Sequence, residues 1–171
     1  MIMAVVVSQT SAMAQQPESV APEPLFHGLT WGMTASTLRM AYVRSDKLIE
    51  GVPGVWQDLD VRAHNVRAFV TLRVGPQGFY VASVAFFFAT GGQRFSREDV
   101  ISQSRRIVDE LSRLYGKPLQ ELPRNGTFFS YVWVTPNTLV QFAWDGADNW
   151  GIQYRSRTLD ADAQALFRTL R

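Results

Sequence analysis

Residues 66–74 alternate without a break: Val66, Ala68, Val70, Leu72 and Val74 point one way, and Arg67, Phe69, Thr71 and Arg73 the other. A period of two marks a half-buried strand, because successive side chains leave opposite faces of the pleat. Residues 100–115 follow a different rule. Val100, Ser104, Ile107, Val108, Leu111, Leu114 and Tyr115 recur at three and four, with Arg105, Arg106, Asp109, Glu110 and Arg113 on the far side, the pattern of an amphipathic helix. Ser96 followed by Asp99 supplies its cap, Gly116 its stop, and Pro118 blocks continuation. A chain holding both periods must pack helix on sheet.

The remaining segments extend this reading. Residues 25–32 read as a short strand ending at Gly32, and Thr34 caps a helix that keeps Leu38, Ala41 and Tyr42 on one side. Strands are predicted at 55–63, 66–74 and 79–89, joined by turns at His64-Asn65 and at residues 75–78. The third carries apolar residues on both faces, with Tyr80, Val84, Phe86 and Phe88 opposite Phe79, Val81, Ala85 and Phe87, which predicts cover on both sides. Three more strands are expected at 127–134, 138–145 and 149–156, then a helix at 160–170 capped by Asp160. The fold class is α+β: antiparallel strands with helices packed on one face, in the order β-α-βββ-α-βββ-α. A tandem α-βββ repeat would divide it into 25–90 and 91–171.

At the N-terminus a short apolar run reaches Ala12-Met13-Ala14, a small-x-small site that predicts a signal peptide over 1–14 with cleavage after Ala14, although no Lys or Arg precedes the run. Residues 15–24 carry three prolines among polar neighbours and read as a flexible leader to a single domain over 25–171. The expected location is periplasmic or secreted. No other apolar run reaches about 18 residues, so no transmembrane segment is predicted. The chain has no cysteine, which leaves stability to the core and removes disulfides, thiol chemistry and an acylated anchor. Lys and Arg number 17 against 15 acids, and no basic stripe runs along the long helix, so no nucleic-acid partner is expected.

Two stretches carry a resemblance: Phe26-His27-Gly28-Leu29-Thr30-Trp31-Gly32-Met33-Thr34, and Leu111-Ser112-Arg113-Leu114-Tyr115-Gly116-Lys117-Pro118. An opening of the form G-x-x-W-G-M-(S/T) before a helix, with a later L-x-x-x-Y-G-x-P before strands, resembles a group of small periplasmic bacterial proteins of unassigned function. The architecture is similar to the folds of the β-lactamase inhibitor protein and of outer-membrane-assembly lipoproteins. That resemblance implies binding of another protein in the envelope and no catalysis. With no cysteine to acylate, the chain departs from the lipoprotein pattern.

Catalytic groups are sparse. His27 and His64 lack metal-ligand spacing, so no metal or cofactor is expected, and His64 reads as a turn residue. Asp58 and Asp60, two apart on a strand, would share a face and could perturb each other, or could simply face water while Leu59 and Val61 face the core. Asp145, Asp148 and Asn149 offer oxygens in a tight loop but fit a hairpin turn better than a calcium loop. Aromatic residues are the richest feature. Tyr131 and Trp133 share parity, as do Phe142 and Trp144, and Trp150 and Tyr154. Either these rings pair in the core beneath the helices, or they form an uncovered face which, with Arg155 and Arg157, would have the composition of a binding surface for a protein or a glycan. Register decides between them.

Overall fold

The computed structural model describes residues 28–90, 93–124, 128–147 and 149–169. Helix α1 (Ala35–Ala41) leads through a single 3-10 turn at Ser45–Lys47 to strands β1 (Ile49–Val52), β2 (Val55–Ala63), β3 (Val66–Gly75) and β4 (Gly78–Phe86). A two-stranded ribbon, β5 (Ala89–Thr90) and β6 (Gln93–Arg94), precedes α2 (Arg97–Tyr115). Strands β7 (Gln120–Arg124), β8 (Phe128–Val134), β9 (Thr138–Trp144) and β10 (Trp150–Ser156) follow, and α3 (Ala161–Thr169) closes the order. The class is α+β. One eight-stranded antiparallel sheet runs β1-β2-β3-β4-β10-β9-β8-β7. Each half contributes a four-stranded meander, and the last strands of the two meanders, β4 and β10, meet at its centre.

The order differs from expectation at the start. Residues 25–27 lie outside the described residues, and residues 28–32 form no strand, ending in a turn at Trp31-Gly32, so the first described regular helix precedes the first strand. Trp31 explains why. Its indole donates from Nε1 to Thr138 Oγ1 at 2.9 Å and its ring lies 5.0 Å from Phe79, which pins the opening against the starts of β4 and β9. Gly32 N–H donates to Phe79 O, Phe79 N–H donates to Met33 O, and Thr34 accepts from Thr37 N–H as the cap of α1. The Trp-Gly-Met-Thr stretch is therefore a clasp that joins the helix start to both halves of the sheet.

Helices α1 and α2 lie on one face. Leu38 and Tyr42 from α1, with Val100, Ile107 and Leu111 from α2, share a core with Val70, Leu72, Phe79, Val84, Phe86 and the central aromatic residues. The capping box of α2 is complete: Asp99 N–H donates to Ser96 Oγ and Ser96 N–H donates to Asp99 Oδ2. Helix α3 departs from the expectation that all helices share a face. Its Ala163 and Leu166 pack on Val132, Leu139 and Val134, whose parity places them on the opposite side of β8 and β9. Arg155 holds its entry, donating to Asp160 and Asp162 at 3.0 and 3.3 Å.

Two bulges shift side chains away from their alternating assignments. Between Asp58 and Val61 the β2–β3 register slips, so Asp58 turns into the core with no exposure while Leu59 is 54 % exposed. Asp58 is held there by Tyr42 Oη, Arg44 Nε and Asp60 N–H. Asp60 remains outside, paired with Arg67 at 2.7 Å. The two carboxylates therefore serve separate partners, and neither the shared-face pair nor the reading with both acids in water describes them. A second slip at Arg73/Val74 turns Phe79 fully inward; on the outer face Val81 is buried, whereas Ala85, and Phe87 just past the strand, are only half-buried, so β4 is covered on both faces at its start and not at its end.

The titratable groups make a pH prediction. Backbone donation from Ala147 holds Asp145 below the usual carboxylate value, the Ser96 N–H does so for Asp99, and the Arg67 guanidinium does so for Asp60. Burial pushes the Tyr154 and Tyr42 hydroxyls up from their ordinary 10.0, the Asp58 charge adding to the effect on Tyr42. Depressed carboxylates contribute stability above their unfolded value that is lost as pH falls through the folded one. Raised tyrosines contribute stability below 10.0 that is lost as pH climbs past it. Urea midpoints should hold level between about pH 4 and pH 10 as far as these groups are concerned, and Tyr154→Phe should blunt the alkaline fall.

Candidate functional site

The register settles where the aromatic residues go. Trp150 lies opposite Trp144, Ile152 opposite Phe142, Tyr154 opposite Val140, and on the next strand Tyr131 opposite Phe142 and Trp133 opposite Val140. All six expected site aromatics, Tyr131, Trp133, Phe142, Trp144, Trp150 and Tyr154, share the face beneath the helices. Trp133 and Phe142 have no exposure, Trp144, Trp150 and Tyr154 almost none, and Tyr131 packs against the same core. Tyr115 of α2 covers Tyr154, and Phe86, Phe88 and Phe95 surround Trp150. The expectation of a solvent-facing aromatic surface is corrected: the rings lie in the core, where burying large apolar area under the helices is favourable.

Arg155, the seventh expected residue, lies on the opposite face and is committed to the start of α3. His27 and Asp148 lie outside the described residues. His64 occupies the β2–β3 turn, where it and Asn65 take positive φ of 51° and 63°, and its Nδ1 lies 2.6 Å from Glu110 Oε2 on α2. Asp145 shapes the β9–β10 turn by accepting from Ala147 and Asn149 N–H, as the hairpin reading requires. Among the described residues no group of three or more His, Asp or Glu is placed to hold a metal ion. Among those residues also, no helix is long and apolar enough to cross a membrane.

What the described residues leave open is the face turned away from α1 and α2, beyond the end occupied by α3. There Phe69 lies opposite Ala85, and Ala85 opposite Gly151, which faces Ala143. In the neighbouring row Gln57, Thr71, Ser83, Gln153 and Gln141 follow one another across five strands, about 19 Å of sheet at the usual strand spacing. Small side chains make the floor of a hollow of about 620 Å³, with Phe69 and Phe87 at one wall and Asp145 and Asn149 at the far rim. The two phenyl rings are 6.0 Å apart. Arg67 lies 5.1 Å over Phe87. Gly151 has to be small for a reason of its own, since a Cβ there would meet Val84 O at 2.4 Å.

Half of this face was readable from the alternation of residues 66–74. Its continuation onto β10 was not, because nothing local announces that β4 pairs with β10 across the two halves. No family model, curated protein or solved structure matches the chain.

Proposed function

We propose that the protein is a non-catalytic binding or accessory protein of the bacterial envelope, and that it engages another protein through the outer face of β3, β4, β10 and β9. One observation carries this reading: with the large aromatics consumed by the core, the sheet still presents a hollow that none of the described residues covers, with an aromatic wall, a floor of small residues and a polar row. Such a surface offers area, hydrogen-bond donors and a recess for a side chain, which are the elements of a protein interface. Export is supported by the apolar start and the Ala12-Met13-Ala14 site. A duplicated origin for halves 25–90 and 91–171 is supported by the repeated order of a helix followed by a four-stranded meander.

Filling the hollow tests the reading. Ser83→Trp places an indole over the floor without touching the helix-side core. The full chain used as bait in envelope extracts should retain a defined protein, and the variant, folded by circular dichroism, should lose it. Retention unchanged by the substitution contradicts the assignment. Loss of retention on peptidoglycan or polysaccharide, in place of a protein, would give the same face to a glycan.

A further inference from the structure

We infer that the partner of this face is an acidic polypeptide segment, one that carries carboxylates on either side of a bulky apolar residue. The inference rests on the outer face being the binding surface and adds the chemistry of what binds. Arg62 and Arg67 stand directly opposite each other on β2 and β3, both exposed. Like charges in that position oppose strand pairing. Asp60 ion-pairs with Arg67 and also feels the Arg62 charge, so a single carboxylate stands against the two guanidinium groups. Arg73, also exposed, lies six residues further along β3, about 20 Å away.

Among the described residues the acids near this face are engaged: Asp60 with Arg67, Asp160 and Asp162 with Arg155, and Asp145 with its own turn. Arg62 and Arg73 have no ion-pair partner among the described residues. The free protein thus holds excess positive charge at both ends of a strip whose middle is Phe69, with Phe87 beside it: the Arg62 and Arg67 pair against one carboxylate at one end, and Arg73 at the other. An anion bridging Arg62 and Arg67 relieves their repulsion, and a second on Arg73 fixes direction, while an apolar side chain settles between them against the two rings. A second copy of this chain would bring the same arginines and oppose itself. An anionic membrane would need protruding apolar side chains, and here the phenyl rings are half-buried.

The full chain can be titrated with a synthetic peptide of alternating glutamate and phenylalanine, with its lysine-for-glutamate counterpart, and with phosphatidylglycerol vesicles, while backbone amide resonances are followed. The acidic peptide should shift Phe69, Thr71, Ser83 and Gln153, and its affinity should fall about tenfold in Arg62→Glu/Arg73→Glu and fall with added salt. The lysine peptide and the vesicles should leave those resonances in place. If the lysine peptide moves them equally, or the double variant binds the acidic peptide as well as the parent does, the acidic partner is overturned and the face survives as a binding surface. If neither the peptides nor the vesicles move them, both fall. Vesicles that shift them in place of the acidic peptide overturn the polypeptide in favour of a lipid surface.

Discussion

Gly78→Ala is expected to lower the free energy of unfolding by about 2–5 kcal/mol. Gly78 opens β4 at φ +102°, a conformation that L side chains rarely adopt, and a Cβ there would sit 2.3 Å from Gly32 O and 2.5 Å from its carbonyl carbon. Neither backbone can retreat cheaply. Gly32 N–H donates to Phe79 O at 2.9 Å and Phe79 N–H donates to Met33 O at 2.8 Å, so separating the segments breaks the clasp that also seats Trp31. Gly116→Ala is the control. It shares a positive φ of 83° but has no atom within 4 Å of its Cβ, so only the backbone strain of about 1–3 kcal/mol should register. Urea unfolding of both variants separates close approach from conformation, and equal losses would show that the clasp contributes nothing.

Trp150→Ala should be costlier still in packing, about 3–5 kcal/mol, a large share of the 5–15 kcal/mol typical of a domain. Trp150 is 2 % exposed and touches Phe86, Phe88 and Phe95 at centroid distances of 4.9, 5.7 and 6.3 Å. Those contacts join β10, β4 and the segment entering α2, so the cavity would open where the two halves meet. The indole Nε1 of Trp150 has no hydrogen-bond partner among the described residues. Trp150→Phe therefore loses ring volume but no hydrogen bond and should recover most of the stability, read as a return of the urea midpoint. A phenylalanine variant as unstable as the alanine one would mean that the indole contributes something beyond packing.

The same residue shows what the sequence could and could not convey. Parity alone put Trp150 and Tyr154 on one side, and the helix period put Val100, Ile107 and Leu111 on another element's inner stripe. Joining the two required knowing that the second meander lies beneath α2, a non-local fact. Strand β1 escaped notice because Ile49-Glu50-Gly51-Val52 is short, exposed throughout and ends at a proline, the composition of a sheet edge. β7 contains Pro123 and lies at the other edge, where a missing N–H breaks no ladder. Asp58 was misplaced for a different reason. A bulge inserts a residue without altering the local alternation of residue types, so the acid that pattern assigns to water ends beside Tyr42 and Arg44.

The candidate site was legible only in outline. Arg67, Phe69, Thr71 and Arg73 were visible as the second face of a strand, yet they attract little notice beside five tryptophans. Aromatic abundance drew the expected site to rings that the core takes up, and the face left open among the described residues is made of alanine, serine, threonine, glutamine and glycine framed by two phenylalanines and arginines. Such residues carry no motif. Their significance comes from pairing β4 with β10, which assembles one surface from two distant parts of the chain.

Photo-crosslinking in the cells that make the protein tests the central claim, a partner on the outer sheet face, most directly. A photoreactive phenylalanine analogue at Gln153, on the outer face, is compared with one at Met40, which is 79 % exposed at the end of α1. The account predicts a discrete protein adduct from position 153 and none from position 40. Adducts of equal yield from both positions, or from position 40 alone, would contradict it.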